Sequence, residues 1–422
     1  MNDLLLRATS FFGLFVLVAL AWALSENRRA VSWRLVAWGM GLQFALGLVV
    51  LHTQAGVYFF EGVKAGFDLI SEASAAGGSF VFGNLNQVFF VDRVGFAADG
   101  SPVSQGPFIV AAVIAFQVLP VIIFVSGLSA ILLHLGVLQW LIHGMSWVMR
   151  RTLKTSGAET FSTALQVFLG IECLSALGGY LQGMTRSELF TIMVAFLATI
   201  AASVMVAYAG FGAEPGHLLA ASLMSAPAAL VMAKLLVPET GTPQTSGDER
   251  IVVTVDSRNI FDAAAQGAQT GLNMALNVGA LLIVFVGLIY LVDLAVVNLT
   301  GYTTTALLGW LFRPFAAVMG IPWSDVGAVS ELLATKAVFN EFLAYEKMKP
   351  MIASGALSPR SQMIVTYALC GFANPGSLGI LLGALSSMIP ERRGEVASLS
   401  ARAFLAGTLA CFCTACVAGV LG

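Results

Sequence analysis

A lysine, an asparagine and a glutamate stand close together in the apolar segment LLATKAVFNEFLAYEKMK, residues 332–349. Lys336, Asn340 and Glu341 are unusual there because charged residues make up only 10% of the chain. A carboxylate beside an amide can accept and donate hydrogen bonds to a polar ligand. Such groups are costly at membrane depth unless they are paired or functional. The segment is therefore a candidate binding site.

Other polar side chains interrupt apolar stretches in the same way. Glu172 and Ser175 lie in one such stretch, Thr199 lies in the next, and Asn374 and Ser377 lie in GFANPGSLG. Carboxylates and amides without a central arginine suit a neutral, polyol-like ligand together with a cation. This inventory suits an anionic substrate poorly.

A structural role is the alternative for each of these residues. Glu341 could form a salt bridge to Lys336 or cap a hairpin, and for a lone residue that interpretation would be favoured. Their occurrence in symmetrically placed breaks favours a binding site instead. Phe372, two residues before Asn374, could stack on a flat ring of the ligand or pack between helices.

The composition indicates an integral membrane protein. Hydrophobic residues make up 58% of the 422 residues, and the mean hydropathy is +0.87. Because soluble proteins average about 25% charged residues, this chain has too little polar surface to cover itself in water. Long apolar runs with scattered glycines predict helices rather than a β-barrel. The predicted fold class is an all-α polytopic membrane protein.

Several other classes of protein are disfavoured. The net charge of −2 is uninformative, but the lack of a basic stripe argues against nucleic acid as a partner. The cysteines of CFCTAC are interpreted as small packing residues rather than metal ligands. An intramembrane enzyme using Glu172 and Glu341 as acid and base is a weak option, since no nucleophile stands beside a base. We therefore expect a non-enzymatic protein without a cofactor.

About eight membrane-spanning helices of about 20 residues are predicted from the apolar runs. They are placed at 4–25, 32–52, 108–136, 187–211, 217–237, 274–298, 361–385 and 396–420. Residues 53–107 are predicted to form an amphipathic piece and a loop, and Pro120 is predicted to kink the third span. Surface helices are expected at 137–154 and 258–272.

Two apolar segments are too interrupted by glycine and polar residues to be simple spans. Such segments predict re-entrant hairpins, whose irregular backbone must be enclosed in protein. A broken segment followed by two spans occurs at 156–237 and again at 326–420. This organisation predicts an inverted repeat with a binding site near the bilayer midplane. The predicted divisions are an N-terminal scaffold segment, a first repeat, a polar link and a second repeat, at 1–107, 108–237, 238–257 and 258–422.

The distribution of basic residues predicts the orientation of the chain. With both termini outside, the clusters ENRR (26–29), Arg150 to Lys154 and PERRGE (390–395) fall on the cytoplasmic side. The loop GAEPGH (212–217), free of lysine and arginine, falls outside, as the positive-inside rule expects. We predict a multi-pass protein of a bacterial inner membrane.

The segment TKAVFNEFLAY resembles the signature of the concentrative nucleoside transporters, in which a lysine is followed four residues later by Asn-Glu-Phe. Similar segments extend over most of the chain from about residue 76 onward. They include MTRSELF (184–190), LLAASLMSAPAALVMAKLLVPE (218–239), GFAN (371–374) and PERR (390–393). The resemblance implies a homotrimer with two opposed hairpins that imports nucleosides with Na⁺ or H⁺ by an elevator-like motion.

The resemblance also implies roles for individual residues. Glu341 would bind ribose hydroxyls with support from Asn340, and Asn374 and Ser377 would contact the same sugar. Phe372 would face the base, Val204 would form a wall of the base pocket, and Glu172 corresponds to the glutamate of the first hairpin motif. The positions of the sodium ligands are occupied by Gln166, Leu169, Thr199 and Ile200.

This chain departs from the family pattern around the base. The usual Gly-Gln-Thr-Glu-Ala-Pro of the first hairpin reads GIECLSAL here, and Ile171 cannot hydrogen-bond a base. Pro375 replaces a residue in the usual Phe-Ala-Asn-Phe-Ser-Ser, removes a donor and is expected to bend its helix. We therefore expect relaxed or redirected base selectivity.

The departures leave two questions open, the coupling ion and the function. Gln166 is one methylene longer than the usual asparagine, so a proton carried by Glu341 or Glu172 is an alternative to Na⁺. The alternative functions are transport of another ribosyl or polyol solute, and a receptor that binds its ligand without transporting it.

Overall fold

The computed structural model describes residues 3–86, 89–96, 101–110, 114–245 and 257–422. The described chain is almost entirely helical, with one two-stranded antiparallel hairpin. Within it, seven apolar stretches are long enough to cross a membrane. They are Asp3–Ala23, Trp33–His52, Ile114–His134, Arg186–Gly210, Pro215–Leu236, Ile260–Thr300 and Pro390–Leu421. The predicted helical membrane fold is confirmed.

The chain begins with two spans and a peripheral segment. In order, the elements are α1 (Asp3–Ala23), α2 (Trp33–His52), α3 (Gln54–Phe82), β1 (Phe89–Phe96) and β2 (Pro102–Val110). The expected amphipathic piece is thus a 29-residue helix, and part of the expected loop is a hairpin. Of the predicted loop, residues 87–88 and 97–100 lie outside the described part of the chain.

The same sequence of elements then occurs twice. The first copy comprises α4 (Ile114–Gln117), α5 (Leu119–His134), α6 (Val137–Leu153), α7 (Gly157–Leu169), α8 (Cys173–Leu181), α9 (Arg186–Ala198), α10 (Ala202–Gly210) and α11 (Pro215–Leu236). The second comprises α12 (Ile260–Thr300), α13 (Thr304–Val318), α14 (Trp323–Val338), α15 (Glu341–Ala353), α16 (Pro359–Leu369), α17 (Pro375–Met388) and α18 (Arg393–Leu421). Each copy has a span, an amphipathic helix, a helical hairpin, a two-part helix and a final span.

Each hairpin turns where its sequence interrupts the helix. Ser156 and Glu159 form a capping box that starts α7, and Gly170 ends that helix with φ +66°, a conformation that favours glycine. A 3₁₀ turn, Gly170–Glu172, then leads into α8. In the second hairpin, the side chain of Asn340 caps the start of α15.

Two predicted spans are discontinuous in the structure. The predicted span 187–211 is α9 and α10, separated by extended backbone at Thr199–Ala201. The predicted span 361–385 is α16 and α17, separated by Cys370–Asn374. Apolar composition could not reveal the first break, because the residues beside it are as hydrophobic as those of a continuous span. The second break coincides with Asn374 and Pro375, which interrupt the apolar sequence.

Three further expectations differ from the structure. The predicted surface helix 258–272 and span 274–298 form one 41-residue helix, α12. The predicted third span begins later than residue 108, because residues up to Val110 belong to β2 and 111–113 are outside the described chain. Pro120 does not kink a continuous helix as predicted. It lies in the first turn of α5, just after the interruption that separates α4 from α5, where its missing N–H costs little.

Packing divides the helices into two environments. The helices α9, α11 and most of α18 are buried and form the core. By contrast, α12 contacts α5 along one narrow face, where Gly267 and Gly271 allow close approach. A Cβ on Gly271 would lie 2.7 Å from Ile123 Cα. The candidate site lies between α12 and the buried helices.

Candidate functional site

Glu341 is the centre of a buried hydrogen-bonded group. The hydroxyl of Tyr208 donates to its Oε1 at 2.7 Å, and Nδ2 of Asn374 donates to its Oε2 at 2.7 Å. Glu341 is the first residue of α15, where the helix dipole favours a negative charge. A carboxylate has about four lone-pair positions, so two remain for a ligand.

Asn340 and Lys336 support this carboxylate without pairing with it. Oδ1 of Asn340 accepts a hydrogen bond from the Leu343 N–H at 2.8 Å, which holds Glu341 at the hairpin tip. Lys336 is buried and donates to the carbonyl oxygen of Ala368 at 2.8 Å. The salt bridge considered between Lys336 and Glu341 is therefore not formed.

Asn374 lies in the break between α16 and α17 and starts the second of these helices. Its Oδ1 accepts from the Ser377 N–H at 2.8 Å, and its Nδ2 also lies 2.9 Å from Ser377 Oγ. Pro375 occupies the first turn of α17, where no N–H is required. Pro375 therefore initiates α17. The bend expected from the sequence does not occur within a helix, because the chain is already interrupted between α16 and α17.

Phe372 connects the two discontinuous helices. Its ring centroid lies 5.5 Å from that of Phe196, and its N–H donates to the carbonyl oxygen of Thr199 at 3.3 Å. The adjacent Gly371 has no room for a side chain, since a Cβ there would lie 2.5 Å from Cys411 Sγ and 2.9 Å from the Ala198 carbonyl. The cysteine therefore serves as a packing residue between the breaks.

These elements enclose a cavity of about 290 Å³. It is lined by the tips of both hairpins, by residues of both discontinuous helices and by one face of α12. All the predicted substrate-binding residues contribute to its lining: Glu172, Val204, Asn340, Glu341, Phe372, Asn374 and Ser377. Residues far apart in the sequence thus converge on one space.

Sequence reasoning missed part of this lining. Tyr208 lies four residues after Val204 on the same helix face, and it stacks on Tyr345 with ring centroids 4.6 Å apart. The four-residue spacing between Val204 and Tyr208 could have identified Tyr208 from the sequence, because residues at that spacing share a helix face. Asn273 and Asn277 of α12 also line the cavity, although Asn277 was predicted to lie in an ordinary span, 274–298, and Asn273 just before it.

The predicted ion ligands lie beside this cavity rather than in its lining. Residues Gln166 and Leu169 are at the end of α7, and Thr199 and Ile200 are in the break after α9. The two places adjoin, because a Cβ on Gly170 would lie 3.0 Å from that of Ala201.

The available atoms are oxygens, the type of ligand that hard cations prefer. Gln166 is fully buried, and its Nε2 donates to the Ile192 carbonyl at 3.2 Å. Its Oε1 receives no hydrogen bond from a described side chain or backbone group. Thr199 adds a hydroxyl that donates to the Ala195 carbonyl at 2.8 Å and keeps its own lone pairs. The residue types therefore fit a sodium ion, which the Gln166 and Thr199 side chains and the Leu169 and Ile200 carbonyls would hold.

Comparison with known proteins identifies similar sequences throughout the chain. Residues 12–85 and 217–419 match the N-terminal and C-terminal models of the Na⁺ dependent nucleoside transporters, and residues 115–215 match a nucleoside recognition (gate) model. Sodium/nucleoside cotransporter 1 of Sus scrofa is 36% identical over 98% of this chain and 64% of its own length. Solute carrier family 28 member 3 of Homo sapiens is 38% identical over 98% of this chain and 60% of its own. The chain thus spans about three-fifths of these relatives.

Solved structures are similar over nearly the whole chain. CNTnw in an inward-facing, substrate-bound state has a TM-score of 0.89 and 38% identity, covering 98% of both chains. A CNTnw variant in an outward-facing state also has a TM-score of 0.89, with 37% identity over 99% of both chains.

Proposed function

Because this chain belongs to the concentrative nucleoside transporter family, a family of transporters rather than enzymes, we propose that it is a Na⁺-coupled symporter that imports nucleosides. Support comes from the family models, from the 38% identity to CNTnw along almost its entire length, and from the cavity. The chain is a multi-pass membrane protein, and we place it in the inner (plasma) membrane with both termini outside.

The observation that carries the proposal is the hydrogen-bonded group of Glu341, Asn374 and Tyr208 at the junction of hairpin and break. Neighbouring ribose hydroxyls would donate to the remaining lone pairs of the Glu341 carboxylate. Ser377 and Asn374 offer further donors and acceptors to the same sugar. Phe372 offers a flat face to the base.

The coupling ion would hold together the parts that complete the cavity. Sodium, when bound, would draw the end of α7 toward the break at Thr199 and Ile200. Thr199 accepts the hydrogen bond of Phe372, so this contact also positions the ring that faces the base. Binding of the ion would therefore favour binding of the nucleoside. By linkage, binding of the nucleoside would favour binding of the ion by the same factor.

We further propose a homotrimer that moves its buried helices against α5 and α12. Large apolar side chains on α12, among them Ile283, Leu291 and Leu299, are exposed in the single chain. A subunit contact or lipid must cover such a surface. Mass measurement of the detergent-solubilised protein tests this: three chains are expected, and a stable monomer that transports would contradict it.

The function is tested by uptake of radiolabelled uridine and adenosine into proteoliposomes under imposed gradients. We expect uptake above equilibrium with an inward Na⁺ gradient and none with a proton gradient alone. Uptake driven by a proton gradient would show that the coupling ion is H⁺ rather than Na⁺. Nucleoside binding without tracer counterflow would identify a receptor, and no nucleoside binding or flux would contradict the proposal.

A further inference from the structure

Polar residues form a stripe along the cavity face of α12. Thr270, Asn273 and Asn277 follow one another at spacings of three and four residues, and all of them line the cavity. The buried glycines Gly267 and Gly271 lie on a different face, where α12 packs on α5. The stripe therefore faces the cavity that contains Glu341.

The amides of this stripe are unexpected in so apolar a helix. The stripe lies just before the most apolar part of Ile260–Thr300, which begins after Asn277, and an amide exposed to lipid lacks hydrogen-bond partners. Gln269 donates to Oδ1 of Asn273 at 3.3 Å. The Asn277 side chain has no hydrogen bond to any residue that the structure describes, so its donors and acceptor are available to a ligand.

Two contacts place the stripe opposite the sugar-facing residues. Met274 Sδ lies 3.8 Å from the hydroxyl of Ser203 at the start of α10. A Cβ on Gly376, two residues after Asn374, would lie 3.6 Å from the Phe285 ring of α12. The cavity thus has the carboxylate and Asn374 on one side and the α12 amides on the other.

Among its residues that line the cavity, the first hairpin offers the Glu172 carboxylate but no side-chain amide to a base. Its lining residues are Gly170, Ile171 and Glu172, and Ile171 has no polar side-chain atom. We propose that Asn277, assisted by Asn273, binds the hydrogen-bonding edge of the base. This assignment rests on the proposed nucleoside transport, and it defines the substrate as a nucleoside with a polar base edge rather than a polyol or simple riboside.

Competition against uridine uptake by purified, reconstituted protein tests this assignment. The probe pair is uridine and 3-methyluridine, which share the ribose and differ at the base edge. The wild type should bind 3-methyluridine at least about tenfold more weakly than uridine, the scale of one lost hydrogen bond. Asn277→Leu should bring the ratio of the 3-methyluridine and uridine affinities close to one. It should leave the ratio of the 2′-deoxyuridine and uridine affinities unchanged. Asn298→Leu, the same substitution at the far end of α12, should retain both wild-type ratios.

The outcomes separate this inference from the function on which it rests. A wild-type ratio retained in Asn277→Leu would overturn the assignment while leaving nucleoside transport intact. If the leucine variant does not fold, Asn277→Ser removes the amide but keeps a small polar side chain, and the same comparison applies. A wild type that neither binds nor moves any nucleoside would instead contradict the proposed function.

Discussion

The main-chain N–H of Phe372 donates a hydrogen bond to the carbonyl oxygen of Thr199 at 3.3 Å. The break in one discontinuous helix is thereby joined to the break in the other. Phe372 lines the proposed nucleoside cavity, and Thr199 belongs to the proposed ion site. Ion and nucleoside would thus meet through one short stretch of backbone, which makes coupling between them testable.

Replacement of Glu341 by glutamine is expected to reduce nucleoside uptake by at least about tenfold, and to as little as about 1%. The amide keeps one acceptor but directs N–H groups at the donors of Tyr208 or Asn374, and hydrogen bonds to charged groups contribute about 1.5–3 kcal/mol. Initial uptake rates measure the loss. Glu346→Gln, the same change at an exposed position of α15, is the control, and uptake equal in both variants would refute the assignment.

Tyr208→Phe should weaken nucleoside binding by about five- to thirtyfold, since the Glu341 carboxylate loses a donor worth about 1–2 kcal/mol. The stack on Tyr345 is kept, so the loss of thermal stability should not exceed that of this one hydrogen bond. Equilibrium binding and a melting curve measure the two effects. Tyr302→Phe, at an exposed position, should bind as the wild type does. A Tyr208→Phe variant with unchanged affinity would argue against Tyr208 as a supporting residue.

Gln166→Leu should raise the Na⁺ concentration for half-maximal uptake by about tenfold or more, because a buried oxygen ligand is lost. Gln166→Asn, which restores the amide, should recover much of the response. The measurement is uridine uptake against Na⁺ concentration at saturating uridine. Gln139→Leu on the amphipathic helix α6 is the matched control. Identical sodium curves for Gln166→Leu and the wild type would exclude Gln166 as an ion ligand.

Lys234→Met should destabilise the protein by about 3–5 kcal/mol. Lys234 Nζ lies 2.7 Å from a carboxylate oxygen of Glu159 and 3.2 Å from one of Glu239, and the lysine and Glu159 are buried. The substitution leaves the Glu159 charge without its cation. Thermal unfolding in detergent measures the loss, and the double variant Lys234→Met/Glu159→Gln should recover part of it. No difference between single and double variants would show that the pair is not coupled.

Glu26 should make a small, pH-dependent contribution to stability. A hydrogen bond from Arg186 at 2.9 Å lowers the pKa of this carboxyl against the opposing effect of partial burial, and the charges of Arg186 and Arg402 lower it further. A lowered folded pKa means that the stabilisation is present above the ordinary value of 4.5 and is lost as pH falls through the folded pKa. Because Glu26 and Arg186 are partly exposed to solvent, we expect this ion pair to contribute less than about 1 kcal/mol to the free energy of unfolding.

The measurement is the melting temperature of wild type and Glu26→Gln from pH 7 down to about pH 3, below the ordinary pKa of the carboxyl. The wild type should be the more stable at pH 7, and the two curves should converge at the acid end. A difference that grows toward low pH would contradict the assigned sign.

Composition and local sequence patterns were sufficient to predict the fold class, both hairpins and part of the candidate site. A composition with 10% charged residues requires a membrane environment, and glycine and polar interruptions locate both hairpins. Asn340 and Glu341 were identifiable because an isolated amide and carboxylate are costly in an apolar segment. Each of these inferences depends on local composition or on the chemistry of neighbouring residues.

Only the tertiary structure showed how distant residues meet. The break at Thr199 lies in sequence as apolar as a continuous span, whereas Asn374 and Pro375 mark the other. The Phe372 N–H and the Thr199 carbonyl satisfy each other across the two breaks, which no local pattern shows. Tyr208 and Glu341 are 133 residues apart, so no local pattern relates them. The amides of α12 face a cavity rather than lipid for the same reason: the direction in which a helix face points is decided by packing against other helices, and not by the residues of that helix alone.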